Sequence, residues 1–192
     1  MRRRSFLQAA AAALPALGLH DILAAEAQAH RDAAPSPVEL HVVGDGEDRF
    51  GQPHSLGFST VSFKVGTAET GGGLFVMEHT HLMPGGPPLH LHPSQDEWFY
   101  VMEGNVAFQL GDRQVTLGPG ESVLGPRRVP HTFSSVSATP SRLLIAFSPA
   151  GKMEAYMRDS AKAGPPADPA AWFRKYNMEY LGPSPFWKPK AS

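Results

Sequence analysis

Residues 85–104, GGPPLHLHPSQDEWFYVMEG, constrain the fold of this chain more than any other segment. Within them His90 and His92 stand two positions apart, and Glu97 begins a run of aromatic and β-branched residues. Successive side chains of an extended strand point to opposite faces, so residues i and i+2 share one face. The spacing therefore predicts that both imidazoles enter the same interior space, with Glu97 as a third metal ligand.

Short runs of Val, Phe, Leu and Thr, separated by glycine and proline turns, make up most of the chain after residue 37. The 19 glycines and 19 prolines favour many short strands over long helices. Close spacing of such strands predicts an all-β sandwich or barrel. The predicted strands lie near residues 38–43, 60–65, 74–82, 89–92, 97–102, 106–110, 114–117, 122–124, 132–136 and 142–147.

Two short C-terminal helices are predicted after the last strand. Ser148-Pro149 has the residue types of an N-cap and first helical position, and Gly164 ends this helix. Asp168-Pro169 repeats the start signal, with Gly182 as the next stop. We interpret the aromatic residues of this region as a cover packed on the barrel.

The first 29 residues have the three-part layout of a secretory signal. Arg2-Arg3-Arg4 precedes Ser5-Phe6-Leu7, an alanine-rich apolar stretch follows, and small residues predict cleavage after Ala27 or Ala29. The paired arginines resemble a twin-arginine signal; an uncleaved amphipathic helix is the alternative. The predicted organisation is a signal peptide (1–29), a linker (30–37), a barrel (38–149) and a helical extension (150–192). This predicts a periplasmic or secreted protein, with no membrane association after cleavage.

Composition narrows the possible chemistry. The formal net charge is −1 and no basic stripe is visible, so nucleic acid is not an expected partner. The chain has no cysteine, which removes disulfides, thiolate metal sites and cysteine nucleophiles together. Nine histidines leave imidazole and carboxylate as the plausible metal ligands.

A second histidine cluster, GESVLGPRRVPH, ends at His131. If the strand that it begins lies across the barrel, His131 adds a third nitrogen to His90, His92 and Glu97. Three neutral imidazoles and one carboxylate suit one divalent transition metal with open positions for substrate or dioxygen. Fe, Mn, Ni, Cu, Co and Zn all accept these donors, so the metal's identity is left open.

Together these residues resemble the two sequence motifs of the cupin superfamily. The first motif, G-x5-H-x-H-x3,4-E-x6-G, and the second, G-x5-P-x-G-x2-H-x3-N, are matched by His90, His92, Glu97, Gly104, Gly120, Pro126 and His131. The resemblance implies a cupin jelly-roll β-barrel with the metal inside. Three positions depart from the pattern: Pro84 and Arg128 replace glycines, and Ser135 replaces asparagine. Arg128 predicts an unusual turn before His131, or a side chain that leans over the mouth of the barrel.

The segments GPPLHLHP and YNMEYLGP resemble small single-domain cupins described as quercetin-dioxygenase-like. This favours a metal-dependent oxidoreductase, most like a dioxygenase, acting on a small phenolic or enolic compound. Glu97 would serve as both ligand and catalytic base, because a carboxylate ligand can accept a hydroxyl proton. A metal-dependent isomerase, lyase or decarboxylase is the first alternative. A non-catalytic periplasmic protein that binds a small molecule is the second.

Strand parity predicts which aromatic residues lie beside the ligands. Phe99 and Phe133 share the inward parity of the ligands on their strands, and Phe108 faces them from a neighbouring strand. Core packing is their default role, but in a barrel that encloses a ligand they would also line an apolar substrate pocket. Trp98 and Tyr100 have the opposite parity and are predicted to pack beneath the C-terminal helices.

A further histidine pair, His79 and His81 in EHTH, also stands two apart on a predicted strand. Without a matched carboxylate, the two are interpreted as surface or barrel-wall residues. If they face inward, orienting ligands or binding substrate is a better fit than holding a second metal. Exposed barrel edges leave a homodimer open as a further possibility.

Overall fold

The protein is described by a computed structural model that covers residues 40–187. The described residues from Val42 onward belong to one compact unit. Two antiparallel sheets form the barrel, and the cupin jelly-roll prediction is confirmed. The predicted signal peptide (1–29) and linker (30–37) lie outside the described residues. Between residues 40 and 187, no helix is long and apolar enough to cross a membrane.

The first sheet has the strand order β1-β2-β3-β10-β5-β8, and the second has the order β11-β4-β9-β6-β7. The strands are β1 (His54–Ser55), β2 (Thr60–Val65), β3 (Phe75–Leu82), β4 (Leu89–Leu91), β5 (Asp96–Glu103), β6 (Val106–Leu110), β7 (Arg113–Leu117), β8 (Ser122–Gly125), β9 (His131–Ser135), β10 (Ser141–Ser148) and β11 (Glu179–Gly182). The helices are a short 3-10 helix (Thr67–Thr70), α1 (Met153–Ala163) and α2 (Pro169–Lys175).

Alternating side chains of the central strands build the barrel core. On β10, Leu143, Ile145 and Phe147 are fully buried, while the residues between them are only half-buried. Their inner faces pack with phenylalanines from β2 and β3, such as Phe63 and Phe75. Each such side chain contributes roughly 1.5–3 kcal/mol when it leaves water, so the inward parity of the strands is strongly specified.

A cluster of ion pairs around one buried carboxylate links neighbouring strands of the first sheet. Glu78 of β3 is 1% exposed, and Arg142 of β10 donates to it through Nε at 2.8 Å. Arg142 also donates through Nη1 to Glu103 of β5 at 2.7 Å. Lys64 of β2 lies 2.9 Å from the other oxygen of Glu78. A buried carboxylate needs such partners because its burial without them is costly.

The strand predicted at 38–43 is wrong in its described part. Residues 40–43 adopt no strand, and Leu40 and Val42 are largely exposed. Strand-like composition alone does not supply a sheet edge to pair with. The structure adds two strands, β1 and β11, that the sequence does not predict because neither has a recognisable alternating run.

The helix prediction was correct in kind and wrong at two boundaries. Ser148 does not cap α1, because it ends β10 opposite Asp96 and its hydroxyl donates to Gly73 O. The helix begins at Met153 instead and ends before Gly164, as predicted. Asp168 caps α2 as predicted by accepting from Ala171 N at 2.9 Å.

The second helix ends well before Gly182. Asn177 adopts a left-handed conformation with φ of 61°, which stops the helix just after Lys175 and Tyr176. The chain then runs into β11, which pairs with β4 so that Tyr180 lies opposite His90. The predicted stop at Gly182 is therefore the end of this strand.

Gly86, which precedes β4, is expected to tolerate no side chain. Its φ is 63°, and a Cβ built there would lie 1.7 Å from the carbonyl oxygen of Phe133. We expect Gly86→Ala to lower the free energy of unfolding by about 4 kcal/mol, at the upper end for single substitutions. Urea denaturation would measure the change.

Gly46→Ala is the matched control, because Gly46 has a similar φ of 68° and nothing within 4 Å of its added Cβ. In Gly46→Ala the free energy of unfolding should fall only by the cost of placing alanine in the left-handed conformation, about 1–2 kcal/mol. Equal losses in the two variants would show that the close approach to Phe133 is not what requires glycine.

Candidate metal centre

Three neighbouring segments bring the predicted ligands together. His90 on β4 lies directly opposite His131 on β9 in the sheet register. His92 follows the end of β4, and Glu97 is the second residue of β5. One donor atom from each of the four lies within 4.8 Å of the others, and all four side chains are buried. The cluster is therefore compact enough to hold one metal ion.

Backbone carbonyls orient two of the imidazoles. His90 Nδ1 lies 2.8 Å from Pro88 O, and His131 Nδ1 lies 2.8 Å from Val129 O. A carbonyl only accepts, so each Nδ1 carries a proton and donates it. The other ring nitrogen, Nε2, is then the one that can bind a metal. Each histidine uses the carbonyl two residues before it, so the local chain path sets both rings.

The buried ring nitrogens of His92 indicate whether a metal ion fits this cluster. Its side chain is fully buried, and neither ring nitrogen has a hydrogen-bond partner among residues 40–187. Nε2 lies 3.1 Å from Glu97 Oε2, but this contact lacks hydrogen-bond geometry. A buried polar atom without a partner costs roughly 1–3 kcal/mol. A divalent metal would give Nε2 a partner, so the donor set fits such an ion.

Electrostatic coupling between Glu97 and His131 dominates the cluster. His131 Nε2 lies 2.8 Å from Glu97 Oε2. Burial is the largest single influence and favours the uncharged form of each group. The hydrogen bonds and opposite charges of the cluster together outweigh it, so the pKa of Glu97 is lowered and the pKa of His131 is raised. Since His131 Nδ1 already donates to Val129, a proton on Nε2 makes this ring an imidazolium. Metal binding would replace that proton.

The pKa of His90 is shifted in the opposite direction from that of His131. Burial, followed by the neighbouring His131 and His92, lowers its pKa to about 3. The ring is therefore neutral at ordinary pH. A neutral imidazole with Nδ1 already donating is the form that binds a metal through Nε2.

A large, mostly apolar cavity adjoins the ligands. Its volume is about 580 Å³, and its lining includes His90 and Glu97 of the cluster. The barrel contributes apolar residues such as Met77 and Phe147, and the C-terminal helices contribute Met153, Tyr156, Met157, Trp172 and Phe173. A molecule in this cavity would therefore contact both the metal ligands and the helical extension.

Residues 78–147 match the family model of the cupin domain. The barrel has the cupin fold. No curated protein sequence matches the chain.

Solved structures resemble the protein over different shares of the chain. TT1209 from Thermus thermophilus is 29% identical, with 41% of this chain and 74% of that chain covered and a TM-score of 0.38. An RmlC-like cupin from Shewanella frigidimarina is 20% identical, with 61% and 96% covered and a TM-score of 0.48. The nucleoside dehydratase Pac13 of Streptomyces is 10% identical, with 76% and 93% covered and a TM-score of 0.50.

The aromatic residues predicted to line the cupin cavity separate into two groups. Phe133 lines it. Phe99 and Phe108 are not among the lining residues; they pack against each other and Phe133 in the core, with their own ring centroids 5.2 Å apart. Inward parity alone does not distinguish the two groups, because a barrel interior contains both a packed end and an open one.

Trp98 and Tyr100 were predicted to pack beneath the helices, and this is wrong. The two rings stack on each other with centroids 5.8 Å apart, and Trp98 is 37% exposed. The helices instead contribute to the cavity, where Tyr156 and Phe173 lie in contact and Phe173 also packs on His90. The prediction that Trp98 and Tyr100 face away from the ligands was correct, but strand parity does not indicate where a later helix packs.

The histidine pair of β3 is split between the two faces of the strand. His79 is 1% exposed and lines the cavity, whereas His81 is exposed. The register with β10 shifts between Ser141 and Leu143. Because of this irregularity, His81 points to the opposite face of the strand from His79, although the two are two residues apart. No pattern within β3 itself could have indicated it.

Arg128 keeps the backbone shape expected of the glycine that it replaces. Its φ is 66°, in the left-handed region that glycine adopts most easily. Its N–H donates to His92 O at 2.8 Å, which connects the turn to the ligand segment. The side chain runs toward Pro93 O, with Nε 3.4 Å away, and Arg128 is not a lining residue of the cavity.

The first prediction for this centre concerns metal content. We expect His92→Ala to lose the metal, because it removes the ring whose nitrogens have no other partner among the described residues. Wild-type protein should carry close to one divalent ion per chain, measured by inductively coupled plasma mass spectrometry. His81→Ala is the control, since its exposed ring lies outside the cluster and should leave the content unchanged. Equal content in all three proteins would exclude the quartet as the binding site.

The second prediction concerns protons. Because Glu97 raises the pKa of His131, the proton on His131 persists to higher pH than on an ordinary histidine, and a metal must displace it. We expect metal binding to release a proton, with the release approaching one per metal as the pH falls below that pKa, and the affinity to fall about tenfold per pH unit there. Calorimetric titration in two buffers of different ionisation enthalpy measures the release; a release of zero would contradict the assignment.

Proposed function

We propose that this chain is a metal-dependent oxidoreductase of the dioxygenase type, acting on a small phenolic or enolic compound. The observation that carries the proposal is the opening of the buried ligand cluster into a cavity of about 580 Å³. His90 and Glu97 belong to both the cluster and the cavity wall. A molecule in the cavity would therefore contact two of the side chains that would hold the metal.

The four side chains that would hold the metal are those of His90, His92, Glu97 and His131. When bound, such a metal would supply Lewis acidity toward substrate oxygens and, for a redox-active ion, access to dioxygen chemistry. Glu97 is ionised at neutral pH because its histidine neighbours lower its pKa. Its carboxylate reaches the cavity wall and is suited to accept the hydroxyl proton of a bound phenol or enol.

The lining of the cavity supports a neutral, apolar substrate. The lining drawn from residues 40–187 includes no lysine or arginine, so a phosphate or carboxylate group would find no cationic partner among these side chains. Aromatic rings from α1 and α2 provide large apolar surfaces suited to a flat ring system. These features favour phenols and enols over sugar acids and phosphorylated compounds.

Oxygen uptake tests the proposal directly. The protein, loaded separately with Fe, Mn, Ni, Cu or Co, is incubated with flavonols and with 1,3-diketones under air and under nitrogen. We expect uptake with at least one metal and substrate class, and a loss of at least about 100-fold in Glu97→Gln, the scale of general-base effects. The His81→Ala protein should retain full uptake.

The possible outcomes separate the alternative functions. Turnover that proceeds equally well under nitrogen would replace the dioxygenase proposal with an isomerase, lyase or decarboxylase. Tight binding of a compound without turnover, under any metal, would indicate a binding protein. Absence of both uptake and binding across the two classes would reject the proposed substrate chemistry.

A further inference from the structure

His79 is a histidine of the cavity wall that does not belong to the metal-ligand cluster. It lies on β3, is 1% exposed, and lines the same cavity as His90 and Glu97. Its Nδ1 lies 2.7 Å from the hydroxyl of Ser59, which is also buried. Its Nε2 is buried and has no hydrogen-bond partner in the part of the chain that the structure describes. The ring therefore has one satisfied nitrogen and one that a bound molecule could satisfy.

Neighbouring aromatic rings hold the imidazole in place. Phe58 stacks on it with ring centroids 6.1 Å apart, and Phe133 meets it nearly at right angles at 5.5 Å. A ring enclosed in this way has little freedom to turn toward another partner. Nε2 is thus its remaining polar atom for recognition, in a wall that is otherwise largely apolar.

Ser59 decides which nitrogen carries the proton. Within residues 40–187, His79 Nδ1 is the only hydrogen-bond partner of the Ser59 hydroxyl. If Nδ1 donated to Ser59, the buried hydroxyl hydrogen would have no acceptor there. If Ser59 donates to Nδ1, both groups of the pair are satisfied and the ring proton lies on Nε2. The network therefore favours an Nε2–H that is free to donate.

The ring is uncharged in this setting. Burial lowers the pKa of His79 to about 4, and the opposing charge of Glu97 offsets only part of that shift. A neutral Nε2–H donates one hydrogen bond without bringing a net charge into the apolar cavity. Such a donor suits a carbonyl or hydroxyl oxygen of a neutral ligand.

We propose that His79, held by Ser59, binds an oxygen of the cavity's ligand through Nε2–H, as a second recognition point apart from the metal. This rests on the proposed function, because the ligand is taken to bind the metal through its own oxygens. It narrows the substrate class to compounds with at least one hydroxyl or carbonyl oxygen beyond those that chelate the metal. A simple chelating enol would leave His79 without its partner.

The first experiment examines the proton without any ligand. Long-range proton–nitrogen NMR of the zinc-loaded protein, labelled with 15N histidine, separates the two neutral tautomers and the imidazolium. We expect the Nε2–H tautomer for His79 from pH 6 to 8, and a shift toward mixed tautomers in Ser59→Ala. Ser62→Ala is the control, because Ser62 is a buried serine of β2 that donates to Gly46 O instead. A wild-type signal for Nδ1–H or for imidazolium would overturn the proposal.

The second experiment measures ligand affinity in the same zinc-loaded protein, where no oxidation intervenes. Quercetin and 3-hydroxyflavone share the same chelating oxygens, but only quercetin carries further hydroxyl groups. Loss of one hydrogen bond in His79→Phe should weaken quercetin binding about fivefold to tenfold and leave 3-hydroxyflavone unchanged. His79→Gln, which keeps an N–H donor, should recover much of that loss.

His54→Phe is the matched control for the aromatic substitution. His54 also has a buried Nε2 without a partner among the described residues, but it does not line the cavity. Equal weakening of both flavonols in His79→Phe would assign His79 a role in cavity shape and overturn the proposal. If neither flavonol binds the wild-type protein, the proposed substrate class fails, and the NMR result alone decides the assignment of His79.

Discussion

The two hydrogen bonds from imidazole Nδ1 to backbone carbonyl are the constraint on which the metal centre depends. His90 and His131 face each other across adjacent strands, and each is held by the carbonyl two residues before it. Strand pairing fixes the separation of the two rings, and the carbonyls fix their rotation. Strand pairing and these hydrogen bonds therefore hold the two rings in position, which keeps the cost of ordering them low.

The barrel and the helical extension contribute different parts of the candidate site. The barrel supplies all four ligands and the base of the cavity. The helices α1 and α2 supply much of the apolar wall opposite them, including Tyr156, Trp172 and Phe173. The candidate metal ligands thus lie in the part of the chain that matches the cupin family, while much of the cavity wall comes from the part beyond residue 147.

The sequence predicted correctly those features that depend on residues close together in the chain. The strands were predictable because short alternating runs lie between glycine and proline turns, and the quartet was predictable because period-two spacing and motif spacing act together. The α1 boundary was not, because Ser148 could serve either as a cap or as the last residue of β10. The tertiary ladder selected the second role. Likewise, His79 and His81 have identical local patterns, and only the register of a distant strand separates them.

β11 is the last strand of the described chain, and it forms the edge of the second sheet beside the strand that carries His90. Tyr180 pairs with His90, so the strand that carries the first ligand has a neighbour on each side only after residues 179–182 are present. During synthesis, the other ten strands found within residues 40–187 emerge first. The ligand strand consequently keeps an unpaired edge while they are made, and open edges invite pairing with other chains. Closure of the C-terminal strand is thus the step that ends this exposure.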